Sequence, residues 1–210
     1  MSALATGVSS THTYRNTSEI NFILDDEKLS VTIDTDRLHI RSVESSEKDY
    51  NSYAPLFGDK DVMQKFGTGE TMTKEQIQER IDNVWAKRWL NQDPYSGFAI
   101  FKKNTDEFVG HITLGHSAPG EAALAYLIKK HHWNNKYTTE AATAVVEYAP
   151  ATVEEGYILD GKPLERIVAT ARTDNPYSSR ILERLGMSRV KYVDPRWHYS
   201  IDLKDISNKV

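Results

Sequence analysis

The sequence predicts an α+β fold: a central mixed, mostly antiparallel β-sheet flanked by helices. Three observations lead there. Segments of strand and helix periodicity follow one another as strand, helices, three strands, helix, strand, helix, two strands, an order foreign to all-α chains and to regular βαβ repeats. Between Gly97 and Lys130, three strand-like segments are separated only by turn residues, and an antiparallel meander is the simplest arrangement for them. The segment "DNPYSSRILERLGM" spells a helix with both ends marked.

Residues 1–30 are rich in Ser, Thr and Asn and carry one apolar island, "INFILDD"; they read as a flexible leader, with the island free to dock as a short segment. Residues 31–210 read as one domain, since 210 residues at 39% hydrophobic suffice for one buried core and fall short of two. "VTIDTDRLHIRSV" alternates Val31 and Ile33, then Leu38 and Ile40, with polar neighbours, as a half-buried first strand does. "SSEKDYNSYAPLFGDKDVMQKF" starts with serine at an N-cap and implies one or two short helices. Thr73 and Gln76 form a capping-box pair, and Ile77, Ile81, Val84, Trp85 and Arg88 mark one face of a helix to about Leu90.

"GFAIFKKNTDEFVGHITLGH" then gives two strands joined at Asn104-Thr105-Asp106, and "AALAYLIKK" a third after the Pro119-Gly120 turn. A helix is expected from Thr139 to about Ala149, ended by Pro150. In "PATVEEGYILDGKPLE", Asp160-Gly161 is a hairpin-turn signal, and "ERIVATA" is a β-branched strand. Asn175 is the N-cap of the next helix, Pro176 its first residue, Ile181, Leu182 and Leu185 its apolar face and Gly186 its left-handed stop. "RVKYV" and "WHYSIDL" close the chain as strands.

Composition excludes several functions. A net charge of −4 is wrong for a general nucleic-acid binder, which needs surplus cations to displace counterions from phosphates. No apolar run spans a membrane and no secretory leader is visible, so a soluble, cytoplasmic protein is expected. The absence of cysteine removes disulfides, thiolate metal sites and any acyl-cysteine intermediate. Adjacent His131 and His132 do not set two ligands on one helix face, and no metal site is expected.

The stretch "HHWNNKYTTEAATAVV" is a crowded polar turn leading into a helix. Orphan N–H groups and the helix dipole favour an anion at such a terminus. Lys129, Lys130, Lys136, His131 and His132 add a local basic patch. A phosphate-bearing cofactor fits both features; a solvated turn with its charges in water fits the same residues.

"TDRLHIR", "DKDVMQKF", "FVGHITL" and above all "NPYSSRILERLGM", an Asn-x-x-Ser helix, together resemble the GNAT superfamily of N-acetyltransferases, in the branch typified by ribosomal-protein alanine acetyltransferases. The resemblance covers about Thr35 to Leu203 and implies a GNAT-like sheet and acetyl-CoA as cosubstrate. Where that branch carries Trp-Gly-Lys-Gly-Tyr-Ala-Thr-Glu-Ala, this chain has Trp133-Asn134-Asn135-Lys136-Tyr137-Thr138-Thr139-Glu140-Ala141. Both glycines are replaced. Asn tolerates the left-handed region, and Lys136 held there costs roughly 1–2 kcal/mol. The expectation is a coenzyme site retained in altered form, using Trp133 to Thr139, with Lys129, Asn175 and Arg180 as further contacts.

By the same resemblance an amine attacks the acetyl thioester directly in a ternary complex. Backbone N–H groups around Leu127 and Ile128 would hold the oxyanion and the pantetheine arm, and Ser178 would protonate the leaving thiolate or turn back onto its helix. The branch's glutamate falls on Ala123; the substitutes are Glu121 on the same strand face and His111 on the neighbouring strand, each also readable as a residue without catalytic work. The acceptor is a primary amine: a protein N-terminus, a polyamine or another small molecule. A homodimer is left open. The rival reading is a non-catalytic acyl-CoA-binding or interaction protein on the same fold.

Overall fold

The computed structural model describes residues 9–17, 19–25 and 28–207. Ten strands form one sheet in the order β1-β2-β3-β4-β5-β6-β7-β10-β12-β11, with β1 Ser9–His12, β2 Glu19–Leu24, β3 Leu29–Asp34, β4 Leu38–Ser42, β5 Gly97–Lys102, β6 Phe108–Ala118, β7 Glu121–Ile128, β10 Arg166–Arg172, β11 Ser188–Val193 and β12 Arg196–Asp202. Every neighbouring pair is antiparallel except β7 with β10. A separate two-residue hairpin, β8 Ile158–Leu159 and β9 Lys162–Pro163, turns at Asp160 and Gly161, whose φ values of 49° and 85° are those of the turn that Asp-Gly favours.

The sheet is buried on both faces because its central strands are apolar in both registers. In β5, Phe98 and Ile100 face one core, while Ala99 and Phe101 face the other. The first core lies under α5 Tyr137–Glu154, α6 Pro176–Arg184 and α7 Leu203–Ser207. The second lies under α1 Glu47–Phe57, α2 Lys60–Met63 and a helix over 74–90. That helix begins as α3 Lys74–Arg80 behind the Thr73–Gln76 capping box, passes through a π-helical segment Ile81–Ala86 and ends as α4 Lys87–Leu90.

Three expectations change. Ser9–His12 and Glu19–Leu24 are not a flexible leader: they form β1 and β2, with Ile20, Phe22 and Leu24 buried, because every second residue of the island is apolar and finds the edge of β3; residues 1–8, 18 and 26–27 of the expected leader lie outside the described residues. The "first strand" is a hairpin, β3 and β4, reversing at 35–37, where Leu38 N–H donates to Thr35 Oγ1 at 3.0 Å. Pro150 does not end α5, which runs to Glu154. Proline in a helix interior costs about 3 kcal/mol. Here residues 149–152 are fully buried and Thr152 Oγ1 donates to the Ala149 carbonyl at 2.7 Å, so packing outweighs the missing bond.

Candidate active site

β7 and β10 pair only from Glu121↔Arg166 to Ala123↔Val168 and then part. Between their diverging halves lies a cleft of about 1010 Å³, walled by Leu124–Ile128 on one side and Ala169–Arg172 on the other, with the starts of α5 and α6 at its rim. Ladder alternation decides which backbone groups open into it. Lys129 N–H donates to the Val109 carbonyl, so Leu127 pairs with His111 in the same hydrogen-bonded register, and Tyr126 and Ile128 turn their N–H groups away from β6 towards the cleft. The free donors are therefore those of Tyr126 and Ile128; Leu127 lines the cleft with its N–H committed to β6.

The loop before α5 keeps the backbone shape that glycine would give. Asn134 and Lys136 both have φ of 63°, in the left-handed region, at the two positions where glycine was expected. Lys136 is the N-cap of α5 and makes no side-chain cap, so the first-turn N–H groups lack a capping acceptor. Trp133 Nε1 donates to the Ile128 carbonyl at 2.9 Å, and Asn135 Nδ2 donates to the carbonyls of His132 and Trp133. Glu140 fastens the helix start to the β3–β4 turn, accepting from Thr35 Oγ1 at 2.6 Å and from Arg37 Nε at 2.7 Å. Trp133, Asn134, Lys136, Thr138 and Thr139 line the cleft; Asn135 is a strut of the loop, and Tyr137 lies under the Arg37 guanidinium, 4.7 Å from its ring centre. Lys129 is outside, its ammonium over Phe108.

Across the cleft, Asn175 caps α6 by accepting from Ser178 N–H at 3.2 Å. The Ser178 hydroxyl does not fold back on the helix; it lies 2.9 Å from the Tyr126 hydroxyl. Burial raises the Tyr126 phenol to about 12, so it stays protonated. Tyr126 was missed in the sequence because its partner is 52 residues away and its strand position carries no motif. Arg180 lines the rim with its guanidinium over Tyr177.

Neither proposed base reaches the cleft. Glu121 sits at the closed end of the β7–β10 pair, 3.3 Å from Arg166, because the strands diverge only two residues later. His111 is 1% exposed, with its ring 4.2 Å from that of Trp85 at a tilt of 41°, and is held by the Tyr53 hydroxyl at 2.8 Å and Thr113 Oγ1 at 2.7 Å. Burial lowers its pKa to about 3, which makes it a neutral core histidine. Two carboxylates do line the cleft, both ion-paired: Asp61 with Lys130 at 2.6 Å, and Asp174 with Lys65 at 2.6 Å and Arg172 at 3.1 Å. Hydrogen bonds from Arg172 and Lys65 hold Asp174 down at about 2. The β8–β9 hairpin meets the sheet at Gly120, the end remote from the cleft.

A second cavity of about 580 Å³ adjoins the first and shares Lys136, Thr139 and Arg184 with it; Arg15 and Arg37 also line it. Among the described residues no helix is long and apolar enough to cross a membrane.

Residues 37–188 match the family described as acetyltransferase (GNAT) domain. The uncharacterized N-acetyltransferase YoaA of Bacillus subtilis is 28% identical over 162 residues, 75% of this chain and 82% of that protein. An acetyltransferase (GNAT family) from Bacillus anthracis superposes with a TM-score of 0.66 at 23% identity, over 82% of this chain and 99% of its own. Spermidine N-acetyltransferase from Vibrio cholerae, solved with CoA and spermine, superposes at 0.64 with 11% identity, over 81% and 98%.

Proposed function

We propose, from the premise that the chain belongs to the GNAT acetyltransferase family, that it transfers acetyl from acetyl-CoA to a weakly basic primary amine such as a protein N-terminus. The observation that carries the coenzyme half is the pair of left-handed residues, Asn134 and Lys136, opening α5 beside the parted strands. Bound acetyl-CoA supplies a thioester whose carbonyl carbon the amine attacks; the new C–N bond forms, the C–S bond breaks and CoA leaves as its thiol. First-turn N–H groups of α5 and the Lys136 ammonium receive the pyrophosphate. The open N–H groups of Tyr126 and Ile128 hold the pantetheine arm and the oxyanion. Ser178, oriented by the Tyr126 hydroxyl, donates to the departing sulfur. Asn175 keeps the start of α6 in place, and the nucleotide end extends towards Arg184 and Arg15.

The preference for a weakly basic amine follows from the carboxylates. Asp61 and Asp174 are tied up in ion pairs, and Asp174, held at about 2 by Arg172 and Lys65, is a poor proton acceptor near neutrality. An α-amine with a pKa near 8 is roughly one-fifth neutral at pH 7.4, against roughly one-thousandth for a lysine-like amine. Acceptors of the first kind need only water to carry the proton away. The test has two stages. Acetyl-CoA at 100 times its Kd should stabilise the protein by about 2.7 kcal/mol in a thermal titration. CoA release with N-terminal peptides should then exceed that with spermidine; faster turnover of spermidine would overturn the acceptor assignment, and no stabilisation by acetyl-CoA would overturn the coenzyme site.

A further inference from the structure

The β5–β6 turn and the end of β7 bring three ligating side chains together outside the cleft. Glu107 Oε1 lies 3.3 Å from His131 Nε2 and 3.1 Å from His132 Nε2, and all three ligand atoms fall within 4.8 Å of one another. Tetrahedral ligands at about 2.0–2.1 Å from zinc stand roughly 3.4 Å apart, so the two measured edges are of the right length. His132 is buried at 4% exposure, and its Nε2 has no hydrogen-bond partner among the described residues: Glu107 is near it but outside hydrogen-bond geometry. Lys102 Nζ, 2.7 Å from Glu107, holds the other oxygen, Oε2, and leaves Oε1 facing the imidazoles.

Other histidine–carboxylate groups lack this convergence. His12 meets Glu154 and Glu155 through opposite ring nitrogens, and His116 meets Asp160 and Asp93 in the same way. Those arrangements bridge charges; the Glu107 group points three lone-pair donors at one place. The adjacency of His131 and His132 argues against a shared ion on an α-helix, but these residues form a 3-10 turn, Lys130–His132, which brings the ring centres within 3.9 Å at a tilt of 49°, and the third ligand comes from 24 residues upstream of His131.

We propose that Glu107, His131 and His132 bind one divalent zinc-class cation, with water completing the shell. Two imidazoles and one carboxylate suit zinc, cobalt or nickel better than calcium or magnesium. The ion is structural: it clamps the residues between β7 and the Trp133–Lys136 loop to the β5–β6 turn, and so braces the loop that precedes α5. The experiment is isothermal titration of Zn²⁺ into chelator-treated full-length protein, with melting curves alongside. One equivalent is expected, together with a rise in Tm; E107Q and H131Q, both at exposed side chains, should each weaken binding by at least about tenfold and abolish the rise. No saturable uptake by the parent protein, or uptake that both variants retain, would overturn the site. Neither outcome depends on acetyl-CoA, so this result stands apart from the coenzyme assignment.

Discussion

A serine three residues past a helix N-cap can bond its own backbone or look outward, and Ser178 looks outward because Tyr126 offers a hydroxyl at 2.9 Å. That choice separates chemistry from stability. Asn175 satisfies the Ser178 N–H through its own side chain, so Ser178→Ala leaves the cap intact and should change stability by less than about 1 kcal/mol. If the hydroxyl serves the leaving thiolate, turnover should fall by roughly ten- to a thousandfold while acetyl-CoA affinity holds, since only a transition-state interaction is lost. Tyr126→Phe removes the orienting partner and should cause a smaller fall of the same kind. Single-turnover kinetics with a separate Kd measurement check both; full turnover by a folded Ser178→Ala protein would hand the proton to another group.

At the scale of the element, the loop before α5 holds left-handed geometry without glycine. Asn134 adopts it readily; Lys136 does so against its own preference, and it lines both cavities. Lys136→Gly therefore separates two effects. Relief of the left-handed strain should raise stability by about 1 kcal/mol, while loss of the ammonium should weaken acetyl-CoA binding severalfold. Denaturant melts and a binding titration read the two independently, and unchanged affinity would remove the lysine from the phosphate site. The loop also marks how far sequence reading reaches. Its backbone geometry was legible because the Trp-x-x-x-Tyr frame and Thr-Glu-Ala persist, and α6 was legible because both its caps are local. Tyr126, the burial of His111 and the remoteness of Glu121 were not: the first and last depend on where β7 leaves β10, and the burial of His111 on Tyr53 and Trp85 packing onto β6, long-range contacts that no local pattern encodes.

Across the whole molecule, the sheet extends further towards the N-terminus than the apolar content of residues 1–30 suggested. β2 has only three core residues, yet all three are buried, and Phe22 stacks on Tyr148 of α5 at 5.4 Å and on Tyr157 at 6.0 Å. Beyond β2, Asn16 donates to Glu147 of α5 through its side-chain amide at 2.6 Å, and His12 meets Glu155 at 2.6 Å. These contacts tie the first strands to the same helix whose start forms the candidate phosphate site. A short strand near the sheet edge gains little from its own backbone pairing, since each ordered residue costs about 1–2 kcal/mol of conformational entropy. The ring of Phe22 must supply much of the compensation. Phe22→Ala should therefore lower global stability by about 3–5 kcal/mol, the range for emptying a buried aromatic site. A dispensable leader would give a change near zero in the same urea melt, and would return β1 and β2 to the status of a tail.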